Sequence, residues 1–67
     1  MRGMDMEFRR IECSAKGALK NGRPLAERQA LEAEFRALCD STPTRMVSPS
    51  QWDRTSKAVD EMMGVSD

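Results

Sequence analysis

Apolar residues recur along this chain at helical spacing. Met4, Phe8, Ile11, Ala15, Ala18 and Leu19 fall at i, i+4, i+7, i+11, i+14 and i+15 and share one helical face. The pattern predicts a first helix over about 5–20. Asp5 is the candidate N-cap, with Glu7 in a first turn where the helix dipole favours negative charge. Asp5 with Arg9 and Glu12 with Lys16 are i,i+4 pairs in the favourable order. Asn21-Gly22 supplies a left-handed stop. Gly17, inside the helix, costs about 1 kcal/mol against alanine.

A second helix is expected over about 24–40, with Pro24 at its first position, where a missing N–H does no harm. It carries two apolar stripes. Leu31, Phe35 and Leu38, with Ala26 and Cys39 beside them, make a stripe of large residues. Leu25, Ala30, Ala33 and Ala37 read as a second, alanine-rich one. A surface helix usually buries a single stripe. Two stripes ask for cover on two sides. The link Asn21-Gly22-Arg23 is short, so helices one and two are expected as an antiparallel hairpin.

A nine-residue stretch, Ser41 to Pro49, holds the breakers Thr42, Pro43 and Thr44. The third helix, over about 49–63, has the clearest start. Ser48, Pro49 and Gln51 fit a capping box, and Val47 with Trp52 fits a hydrophobic staple. Trp52, Thr55, Ser56, Val59, Met62 and Met63 share one face. Asp53, Arg54, Lys57, Asp60 and Glu61 share the other, with Asp53–Lys57 and Lys57–Glu61 as i,i+4 pairs. Gly64 is the stop, and the tail beyond it reads as loose. Strand-like alternation is absent. The expectation is a small all-α protein of three helices in one domain, residues 1–67, open to completion by a second copy. Its core is expected to join the large stripe to Phe8, Ile11, Leu19, Trp52 and Val59.

Length sharpens that picture. A chain of 67 residues buries little core. Leu, Ile, Val and Phe number only ten, below the roughly one in five at which globular stability becomes doubtful. High net charge, the other mark of disorder, is missing, because eleven basic residues balance eleven acidic ones. A fold that gains stability from association follows. The balance is uneven along the chain. Residues 1–30 hold seven Lys/Arg against four Asp/Glu, a net of +3, and residues 31–67 hold four against seven, a net of −3. No apolar run resembles a signal peptide or a membrane span, so a cytoplasmic protein with no membrane partner is expected.

Candidate chemistry is sparse. With no His and no Tyr, the commonest general base and metal ligand is missing. Two cysteines cannot build a zinc quartet. Gly17 to Pro24 echoes a phosphate-binding loop, but Arg23 and Pro24 replace its Lys and hydroxyl residue, and no strand precedes it. In a hairpin turning near Gly22, Cys13 and Cys39 are offset by roughly 9–12 Å at the helical rise. That is too far for an intrachain disulfide. Cys13 lies among Arg9, Arg10 and Lys16, cationic surroundings of the kind that can activate a thiol, yet no base accompanies it. Arg2, Arg9, Lys16 and Lys20 line one side of helix one, away from Phe8.

These features point to a non-catalytic protein–protein interaction module, a small regulator, adaptor or inhibitor. Its partner is another protein or a second copy, as in a homodimer, met through Leu25, Ala30, Ala33, Ala37 and Met62. Neither a cofactor, a metal nor a small-molecule substrate is implied. The alternative is a nucleic-acid-binding module in which Arg9, Lys16 and Lys20 contact phosphates. Asp5 and Glu12 beside that stripe, and the absence of interleaved aromatics for base stacking, argue against it.

Overall fold

A computed structural model describes residues 3–64. Its elements are α1 (Asp5–Asn21), α2 (Leu25–Ser41), a 3-10 turn (Thr44–Met46) and α3 (Pro49–Met63). Among the described residues there is no strand. Arg2, expected on the basic stripe, and residues 65–67, expected as a loose tail, lie outside them.

Local chemistry accounts for most of the boundaries. Gly22 takes the left-handed conformation, φ 62°, that a side chain would oppose. Its N–H bonds the Leu19 carbonyl at 3.4 Å and the Arg23 N–H bonds Ala18 at 3.0 Å. This is the paired closure that satisfies the last orphan carbonyls of a helix. Gly64, φ 78°, ends α3 in the same conformation. The segment resembling a phosphate loop is largely α1 itself, because Gly17 to Asn21 are helical.

The capping of all three helix starts differs from expectation. Met4, not Asp5, occupies the N-cap of α1. The Asp5 carboxylate instead reaches α3, accepting the Ser48 N–H at 2.9 Å and the Ser48 hydroxyl at 3.1 Å. Nor does the capping box at Ser48 form, since the Ser48 side chain bonds no backbone N–H of α3. In such a box Gln51 would bind the Ser48 N–H. Asp5 already holds that donor, and Gln51 turns inward. In α2, Pro24 is the N-cap, one position earlier than expected.

Packing centres on α1 and α3. Phe8, Ile11, Ala15, Val47, Ala58, Val59 and Met62 are buried. Ala18, Leu31, Phe35, Leu38 and Met63 close over them, partly exposed. Phe8 meets Phe35 edge-on, with centroids 5.9 Å apart, and lies tilted against Trp52 at 4.8 Å. It therefore touches both other helices. The Thr55 hydroxyl sits 3.1 Å from the Phe8 carbonyl, so the backbone of α1 lies within reach of a short α3 side chain. Along the α1–α2 seam Phe8 faces Phe35 and Arg10 pairs with Glu34, while Leu31 and Glu27 border the same recess as Gly17 and Asn21.

The buried face of α3 is Gln51, Thr55, Ala58, Val59 and Met62. It is rotated from the purely apolar face, and two corrections follow. Met62, expected at the face edge as a partner contact, is fully buried. Trp52, Ser56 and Met63 take the edge instead. The rotation is tolerated because Gln51 and Thr55 carry hydrogen bonds into the interior, so their burial leaves no orphan. Leu19, expected in the core, is 49 % exposed. It lies in the last turn of α1, past Ala15, the last α1 residue to be buried.

Candidate interaction surface

α2 is the only one of the three helices with no buried residue. Its large stripe is half-covered: Leu31, Phe35, Leu38 and Cys39 are partly exposed. Few polar ties hold it. Arg10 bonds Glu34 at 2.8 Å, with both side chains about half exposed. The Arg28 guanidinium donates to the Met62 carbonyl at 3.2 Å, placing a cation at the C-terminal end of α3, where the helix dipole favours it. Among the described residues the Arg28 Nε and the Thr42 hydroxyl are buried with no hydrogen-bond partner.

The other side of α2 faces outward. At about 100° per residue, Ala33 lies roughly opposite Leu31 and Phe35, with Ala30 and Ala37 to its side, and all three are exposed. Leu25 does not belong to their stripe. It is 53 % exposed, on the flank shared with Arg28 and Glu32. Ala26, also exposed, takes its place. Ala26, Ala30, Ala33 and Ala37 then follow the 4-3-4 spacing of a coiled-coil seam. Alanine at each position allows a second helix to approach closely. Of the five proposed contact residues, four are accessible and Met62 is not.

A different neighbourhood forms between α1 and α3. Glu12 is buried and accepts hydrogen bonds from Gln51 Nε2 at 2.8 Å and Lys16 Nζ at 2.9 Å. Those two bonds, Lys16 first, hold its carboxyl below the ordinary glutamate range, against the opposing effect of burial. The amide of Gln51 also donates to the Thr55 hydroxyl at 3.0 Å, and Arg54 donates to the Gln51 carbonyl oxygen at 3.0 Å. A recess of about 390 Å³ lies over this network, bordered by Arg9, Lys16, Arg54 and Cys13. Of the expected phosphate contacts, Arg9 and Lys16 thus come together. Lys20, a turn further along α1, does not border the recess. Arg54 is the residue that reading the chain missed. Its proximity to Arg9 depends on helices 45 positions apart packing together, and no local pattern carries that.

Cys13 is exposed and Cys39 half-buried, and both are free thiols. Burial, with the Asp40 charge beside it, pushes the Cys39 thiol up. An apolar hollow of about 330 Å³ lies between the 3-10 turn and α3, lined by Val47, Pro49 and Trp52. Among the described residues no group of three carboxylate or thiol side chains is placed to hold a metal ion. No helix there is long and apolar enough to cross a membrane. Comparison with protein-family models, curated proteins and solved structures finds no match.

Proposed function

We propose that this chain is a non-catalytic protein–protein interaction module, a small regulator, adaptor or inhibitor that docks through the outer side of α2. The observation that carries the reading is the lack of any buried residue on α2. A helix with half-covered Leu31, Phe35 and Leu38, exposed Leu25 and an outward alanine seam has apolar area left to cover. In a 67-residue chain that area is a large share of the available hydrophobic stabilisation. The partner is a helix, from a second copy or from another protein, because alanine at every seam position suits helix-on-helix packing at an axial separation near 8 Å.

Light scattering across a concentration series, combined with a photoreactive side chain at Ala33, tests this. The expected result is a dimer that Ala33→Arg splits, or an adduct from position 33 that a photoreactive side chain at Asp53 on α3 does not form. A monomer at every concentration, with adducts from 33 no different from those at 53, overturns the reading. Ala33 is exposed, so the arginine variant keeps its fold.

A further inference from the structure

The recess between α1 and α3 has more cationic side chains than the one carboxylate that lines it. Three cations border it, Arg9, Lys16 and Arg54, against the single carboxylate of Glu12. Lys16 spends its charge on Glu12 at 2.9 Å. The other Glu12 oxygen is taken by Gln51. Arg54 is held by the neutral amide oxygen of Gln51, and neither it nor Arg9 forms an ion pair with a carboxylate among the described residues. Two arginines from two helices therefore border one polar hollow, and the Gln51 side-chain amide holds Arg54 beside it.

We infer that this recess is a binding site for a phosphate group, gripped by Arg9 from α1 and Arg54 from α3, with Lys16 at its edge. Guanidinium forks match tetrahedral oxyanions geometrically, and two of them converging give direction as well as charge. Glu12 limits the affinity, since its charge opposes the ligand, and it positions Lys16 and Gln51. The site is separate from the outward alanine seam of α2 and does not depend on it. It also differs from a basic stripe along α1 alone, because Arg54 belongs to it and Lys20 does not.

The test is an amide-shift titration of the whole chain with sodium phosphate at constant ionic strength set by chloride. The expected result is saturable shifts confined to residues 9–16 and 51–57, with half-saturation below about 10 mM. Arg9→Ala removes no structural bond and weakens binding about three- to fivefold, the scale of one exposed charge contact. Arg54→Gln weakens it likewise, Glu12→Gln strengthens it by removing the opposing charge, and Lys20→Ala leaves it unchanged. Absence of saturation below that concentration, or equal weakening by Lys20→Ala and Arg9→Ala, overturns the site. A second titration with a short single-stranded oligonucleotide identifies the source of the phosphate. Tighter, strongly salt-dependent binding that Arg9→Ala reduces assigns a nucleic-acid backbone. Binding no tighter than that of inorganic phosphate assigns a free phosphate or phosphomonoester.

Discussion

Glu12 on α1 and Gln51 on α3, 39 positions apart, share a buried 2.8 Å hydrogen bond. It is the centre of the polar tie between the two best-packed helices. Glu12→Ala is expected to cost about 1–3 kcal/mol, the penalty for stripping a partner from a buried polar group. Gln51→Ala should cost a similar amount, since it also breaks the bonds to Thr55 and Arg54. A double-mutant cycle in urea should return a coupling of about 0.5–2 kcal/mol. Strict additivity would mean that the two side chains stabilise the fold independently.

The same carboxylate makes stability depend on pH. Its folded pKa lies below the ordinary glutamate value because Lys16 and Gln51 hydrogen-bond the charged form. A depressed carboxylate contributes stability that is fully present above the unfolded value, about 4.3. That contribution is lost as pH falls through the lower folded value. The melting temperature should therefore fall in acid from about pH 4 downward. In Glu12→Gln the acid limb should be shallower. Identical acid limbs in the two proteins would assign the loss to other carboxylates.

Asp5 replaces the missing capping side chain of α3. It accepts both the N–H and the hydroxyl of Ser48, so Asp5→Ala should cost about 1 kcal/mol, near the worth of a helix cap. Ser48→Ala should cost less than a lost N-cap usually does, because its hydroxyl donates to Asp5 and caps no N–H of α3. Thermal melts of the two variants give the order. A larger loss in Ser48→Ala would show that the serine caps its own helix.

Met62 and Leu25 separate core from surface. Met62 is fully buried, and Met62→Ala should cost about 2–5 kcal/mol. Leu25→Ala, at a 53 % exposed position, should change stability by no more than about 0.5 kcal/mol. Denaturant midpoints at low protein concentration measure both. A large loss in Leu25→Ala that grows with concentration would instead place Leu25 in an interface.

Gly17 offers a stabilising change. A methyl group built there meets nothing within 4 Å. In a helix interior Gly17→Ala should then add about 0.5–1 kcal/mol, largely by restricting the unfolded chain. A melt no higher than that of the parent chain would mean that the α1 C-terminal turns need the glycine for another reason.

Much of this was readable in one dimension, and the failures are specific. Phe8, Ile11 and Ala15 repeat at helical spacing and are all buried. Gly22 and Gly64 announce helix ends and take the left-handed conformation. Capping was harder, because Ser48 and Gln51 have the right spacing for a local box while Asp5, 43 residues earlier, is the better acceptor. At about 100° per residue Ala26 belongs with the alanine seam and Leu25 to the flank beside Arg28 and Glu32, so the two stripes read from the chain each hold one misplaced residue. Two of the three cations that border the recess, Arg9 and Lys16, lie within one helix and are visible in the sequence. Arg54 was not, because a helical period says nothing about which helix packs alongside.

The sequence by itself determined where the helices begin and end, since capping glycines, a first-turn proline and the 3.6-residue repeat act over a few neighbouring residues. It also placed apolar residues on more than one side of α2. Only the tertiary structure decided how α3 turns about its axis. A helix face is chosen by all its contacts at once, and here Glu12 and the Phe8 carbonyl satisfy Gln51 and Thr55. That lets a polar pair into the interior, draws Met62 inward with it and leaves Trp52 at the edge. The same rotation carries Arg54 to the side of Arg9 and Lys16, where three cations border one recess.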